Sequence, residues 1–159
     1  MKKIKLTIDK KTLEDYTEYY FANHPKAKNK PIPLPYHPSL NEWIRLRRFI
    51  MNGLKQKWKE FVLWFVESQG YSNLHIEKCE ICFTTYYCTH RRHDVDNGVP
   101  KFILDGFVES GFITDDDDKH LTKLTLQSDS DSENPRTEIE IKITETQGDQ
   151  NGKNKKDRK

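Results

Sequence analysis

The chain has 159 residues, of which 34% are hydrophobic and 33% charged, with a formal net charge of +2. That length suits one domain with its own core, independent of disulfides or a structural metal. The longest apolar run, Phe61 to Val66, excludes a membrane-spanning helix. The odd set Cys79, Cys82 and Cys88, with no secretory core after Met1, argues against a disulfide-built secreted fold and for a cytoplasmic protein with reduced thiols.

Ile4-Lys5-Leu6-Thr7-Ile8 alternates apolar and polar residues and predicts a half-buried opening strand. Pro25, Pro31, Pro33, Pro35 and Pro38 make residues 23–38 an extended or looped connection. Ser39-x-x-Glu42 has the form of a capping box. Behind it Trp43, Leu46, Ile50, Leu54, Trp58, Phe61 and Phe65 recur every three or four residues. This is the stripe of one long helix ending near Gly70. Its other face carries Arg45, Arg47, Arg48, Lys55, Lys57 and Lys59, with no acidic residue between 43 and 59. Such a face suits phosphate binding, and equally an ordinary solvated surface. Trp43, Trp58 and Trp64 read as core and dimer packing rather than as platforms for bases.

Asn73 to Tyr87 turns β-branched and aromatic, predicting one or two strands. Val99 to Ser110 predicts a second helix, with Phe102, Ile103, Phe107 and Val108 inward, Pro100 in its first turn and Gly111 as its stop. Leu121 to Leu126 and Thr137 to Ile143 alternate and predict two more strands, joined by the Ser/Asp/Asn/Pro stretch 128–135. Residues 147–159 are polar, rich in Lys and Gly, and predict a disordered basic tail after a single domain over 1–146. The expected class is α/β (α+β): a mixed β-sheet packed by one long and one shorter helix.

The densest polar chemistry lies between the strand and the second helix, in His90-Arg91-Arg92-His93-Asp94-Val95-Asp96-Asn97. In an extended chain residues i and i+2 point the same way. Asp94 and Asp96 would then project together as hard oxygen ligands suited to Mg²⁺. The helix over 99–110 and a return through Gly111 leave Asp115 or Asp116 able to come back to them. An N-cap before a helix explains the same aspartates, and the run Asp115–Asp118 also fits a solvated turn.

The ordered set Arg91-Arg92-His93-Asp94-Val95-Asp96-Asn97, then Lys101, Asp105, Gly111 and Asp115-Asp116, resembles the RusA-type Holliday-junction resolvases over about 30 residues, 90–119. That resemblance implies catalytic aspartates at Asp94, Asp96 and Asp116 holding Mg²⁺, with Mn²⁺ as a substitute, and a catalytic lysine at Lys101. Three residues separate Asn97 from Lys101, where the family usually has two. The resemblance further implies a homodimer that nicks opposed strands of a four-way DNA junction, with Arg91, Arg92, His90 and Asn97 on the DNA. It needs no small-molecule cofactor and no membrane, and it suggests a phage or prophage setting.

Two rival readings stay open. Cys79-x-x-Cys82 with Cys88, His90 and His93 offers zinc-type ligands, although i and i+3 on a strand face opposite sides. The basic helix face would suit a branched-DNA-binding protein without catalysis.

Overall fold

The computed structural model describes residues 2–146; the tail expected at 147–159 lies outside the described residues. The alternating start forms strand β1 (Lys2–Ile8), with Ile4, Leu6 and Ile8 buried and Lys3 and Lys5 outward. Helix α1 (Lys10–Asn23) follows, where the sequence pattern predicts no element. Asp9 starts it: its carboxylate accepts from the Thr12 amide at 3.0 Å, and the Thr12 hydroxyl accepts from the Asp9 amide at 3.3 Å. This is a capping box with threonine in the place usually held by glutamate. Only Leu13 and Tyr16 of α1 are buried, so its apolar stripe is too thin to stand out in sequence.

The single helix predicted over 39–70 is two helices. Ser39 does cap, accepting from the Glu42 amide at 3.3 Å, but α2 (Leu40–Trp43) ends after one turn, and α3 (Arg48–Ser68) restarts beyond an extended Arg47. Packing gives the reason. Trp43 sits on Phe102 with ring centroids 5.1 Å apart, Trp58 sits on His37 at 5.6 Å, and His37 touches Phe102 at 4.8 Å. A straight helix would hold the two indoles about 22 Å apart, so the chain has to fold back between them. Trp58, Phe61, Val62, Phe65 and Val66 then bury the second half of α3. Its first turns stand clear, with Phe49 88% and Ile50 53% exposed.

Residues 73–87 give one strand, β2 (Ile76–Tyr87). Helix α4 (Lys101–Glu109) buries Phe102, Ile103, Leu104, Gly106 and Phe107, while Val108, expected inward, is half-buried at a groove beside α3. Gly111, at φ +70°, ends it in a left-handed conformation that a side chain would strain. Strands β3 (Leu121–Ser130) and β4 (Arg136–Thr146) complete a four-stranded sheet in the order β1-β4-β2-β3. The sheet is mixed, as expected: β4 runs antiparallel to β1 and β2, and β3 parallel to β2.

The inward residues of β1, β2 and β4, among them Leu6, Ile81, Phe83 and Ile141, form one core with α3 and α4. The opposite face is polar and carries ion pairs such as Lys3–Glu140 at 3.3 Å and Lys5–Glu138 at 3.6 Å. Because β2 lies between β3 and β4, residues 131–135 must cross its end. There the Asp131 amide donates to the Tyr87 carbonyl at 2.9 Å, pinning the point where the polar segment 88–98 begins. No helix among the described residues is long and apolar enough to cross a membrane.

Candidate active site

The start of α4 organises the site. Pro100 precedes the helix and supplies no side-chain cap, yet the first amides of a helix need partners. One partner comes from the proline-rich segment: the Phe102 amide donates to His37 Nε2 at 3.1 Å, and His37 Nδ1–H donates to the Pro38 carbonyl at 2.7 Å. Accepting at Nε2 requires a neutral ring. Burial enforces this, lowering the His37 pKa to about 4. The proline-rich segment is tied down in turn by Thr137, whose buried hydroxyl donates to the Pro35 carbonyl at 2.7 Å.

Lys101, the first residue of α4, sends its ammonium between two carboxylates, 2.9 Å from Asp105 Oδ1 and 3.6 Å from Asp116 Oδ2. The hydrogen bond to Asp105 is the main cause of its raised pKa, with the charges of Asp105 and Asp116 adding to it. Lys101 is therefore a fixed cation at neutral pH, suited to charge neutralisation or proton donation and not to acting as a base. The chain returns far enough to bring Asp116 to Lys101, not to gather it with Asp94 and Asp96, and the Asp116 amide is held by Asp115 Oδ1 at 2.7 Å.

Asp94 and Asp96 are placed differently from the extended expectation. β2 ends at Tyr87, and Val95–Gly98 is a turn of 3₁₀ helix entered from an extended Asp94. Only Asp96 lies within that turn, so strand alternation does not set the two carboxylates on one side. The capping alternative fails as well, because Asp94 makes no side-chain cap. Its carboxylate instead lies 3.7 Å from Arg92 Nε, with both side chains exposed. Asp96, His90 and Arg91 are exposed, and the Asn97 amide donates to the Asp94 carbonyl at 3.1 Å. Behind this exposed rim the segment is anchored by aromatic contacts. His93 stacks flat on Tyr87 at 3.7 Å, Tyr36 meets Tyr87 edge-on, and the Tyr36 hydroxyl bonds Cys88 Sγ at 3.2 Å.

Among the described residues, Asp115, Asp117 and His120 are the three whose ligand atoms lie within 4.8 Å of one another. Asp94, Asp96 and Asp116 are not gathered that closely. The Asp115 group reads as a turn, since Asp117 Oδ1 already accepts from the amides of Lys119 and His120 at 3.1 Å each and meets His120 Nδ1. These bonds, that with the His120 side chain foremost, hold the Asp117 pKa below its ordinary value. The zinc-type residues do not assemble either. Cys79 points into the core, where burial pushes its thiol up to about 11, and Cys82 is half-exposed. Neither joins Cys88, His90 or His93 in a ligand group among the described residues.

Beside Lys101 a groove of about 470 Å³ runs between α3 and α4, bounded by Lys55 and Lys59 on one wall and by Asp105, Glu109 and Asp116 on the other. Sequence reasoning reaches Lys101, Asp105 and Asp116 and misses His37, whose partner amide is 65 residues away. No protein-family model matches the chain, and no curated protein matches it.

Proposed function

We propose that the chain is a divalent-metal-dependent endodeoxyribonuclease that acts on branched DNA and resolves four-way junctions as a homodimer. The observation that carries this reading is the Lys101 ammonium, held between Asp105 and Asp116 at the start of α4. Lys101 follows the Asp94-x-Asp96-Asn97 turn by a few residues in the order that resembles the resolvases. The donor set fits a hard cation in kind: three carboxylates, with Asp94 and Asp96 exposed and Asp94 free of any capping duty. Asp94, Asp96 and Asp116 would hold Mg²⁺, and gathering them on one ion would offset their mutual repulsion. Such an ion supplies an activated water and charge relief on the scissile phosphate.

The protein's own groups perform the remaining work. Lys101 neutralises charge on the leaving 3′-oxygen or delivers its proton there, and Asp105 keeps it charged and aimed. Arg91, Arg92 and His90, all exposed, contact phosphates, and Asn97 lines the same rim. The test is a labelled synthetic four-way junction incubated with Mg²⁺ and with EDTA, beside a linear duplex. Paired nicks that need Mg²⁺ and spare the duplex are expected. Asp96→Asn is expected to abolish cutting while keeping or strengthening junction binding, because it removes repulsion with phosphate. Cutting by Asp96→Asn at the wild-type rate would reassign the site.

A further inference from the structure

The groove beside Lys101 has one wall built from a helical stripe. Asn52, Lys55, Gln56 and Lys59 recur at three- and four-residue spacing and so share one side of α3. One turn earlier the same side reaches Arg48 and, next to it, Phe49. Phe49 is the most exposed large hydrophobic residue described, at 88%. The stripe from residue 49 to residue 59 spans about 15 Å and ends against Asp105 and Asp116.

Its charges are available to a ligand. Lys59 lies 3.4 Å from Glu109, but Arg47, Arg48 and Lys55 make no ion pair among the described residues. An aromatic ring held out among arginines, leading along the lysine and amide wall of a groove whose other wall is Asp105, Glu109 and Asp116, matches the needs of an unpaired nucleic-acid strand that keeps its phosphates to the α3 side. Such a strand offers phosphates to the cations and a base to the ring. A second copy of this chain fits less well, because a two-fold contact here would set Arg47 and Arg48 against their own counterparts.

We propose that this stripe is the binding track for a single strand leaving the branch point, with Phe49 stacking on an unpaired base and Lys55 on the phosphate path toward Asp116. The inference rests on the nuclease reading for its direction along the groove, but its test does not require cutting. The full chain is titrated in EDTA against a labelled four-way junction carrying 2-aminopurine at the branch, beside a linear duplex.

The wild-type protein is expected to change the 2-aminopurine emission. Phe49→Ala should remove that change and weaken junction binding by about five-fold or more, with Phe49→Trp restoring both. Lys55→Gln should lower the slope of log affinity against log salt by about one. Wild-type binding and emission in both Phe49→Ala and Lys55→Gln would overturn the track, as would Phe49→Ala turning a sedimenting dimer into a monomer. Cutting in Mg²⁺ is read separately. A protein that cuts junctions while both variants bind as wild type keeps the nuclease and loses the track. One that binds through Phe49 and Lys55 and never cuts keeps the track and loses the nuclease.

Discussion

His37 holds the start of the helix that carries Lys101, and it can do so only while neutral. Its pKa is lowered from 6.5 to about 4 by burial. The unfolded chain therefore takes up a proton on falling through about pH 6.5, which the folded chain refuses until about pH 4. Stability from this residue is complete above the unfolded value and is lost progressively across that window. The loss is about 3 kcal/mol at its limit, on the scale of roughly 1.4 kcal/mol per unit. Thermal melts at steps between those two pH values should show it, with His37→Gln as the control. The glutamine carbonyl can accept from Phe102 and its amide can donate to Pro38, yet it does not titrate. Equal pH slopes for the two proteins would remove the capping role. Nothing near His37 in sequence announces that role, since it sits among prolines and its partner lies in another element. Lys101 and Asp116 were singled out by their order in a resemblance, and the structure brings the two side chains within 3.6 Å of each other.

Between elements, the closest approach is that of α3 to α4. A Cβ on Gly106 would stand 2.6 Å from both Cβ and Cγ1 of Val62, below any tolerated contact. Gly106→Ala must therefore separate the helices. The cost of overpacking, about 1–3 kcal/mol, exceeds the helix-propensity gain of about 1 kcal/mol. Gly53, in the exposed part of α3, has nothing within 4 Å of its would-be Cβ, so the same substitution there should stabilise by up to about 1 kcal/mol. Urea midpoints for the pair are expected to move in opposite directions; a shared sign would mean that the helix contact is looser than the geometry implies. Strand and helix types were readable wherever one face is deeply buried, as in β1, β2, β4 and α4. The failures have a common cause in tertiary packing. α1 buries too little to print a period, and α2 and α3 print one continuous period across a break that goes with the seating of Trp43 on Phe102 and of Trp58 on His37. The extended backbone assumed between Asp94 and Asp96 gives way to a turn of 3₁₀ helix at Val95–Gly98, a local choice that strand alternation cannot foresee.

At the scale of the whole molecule, the six basic residues between 43 and 59 outnumber the net charge of +2, so the rest of the chain is net acidic. On the proposed reading, attraction to DNA would be local and oriented, drawing phosphates along α3 toward the carboxylates instead of coating the surface. In the proposed function one chain carries one such site, whereas separating a four-way junction into two duplexes takes two cuts on opposed strands. A two-fold pair of chains would supply them on a nearly two-fold substrate. A supercoiled plasmid that extrudes a cruciform distinguishes paired from single action, because one nick releases the supercoiling that keeps the cruciform extruded. Two cuts within one binding event give linear plasmid; independent cuts give nicked circles that are no longer substrates. Linear product is expected from the first time points, at enzyme concentrations where sedimentation shows a dimer. Dilution below the dimer's dissociation constant should shift the product to nicked circles. Nicked circles at every concentration would leave a nuclease that acts one strand at a time, and the homodimer would lose its functional reason.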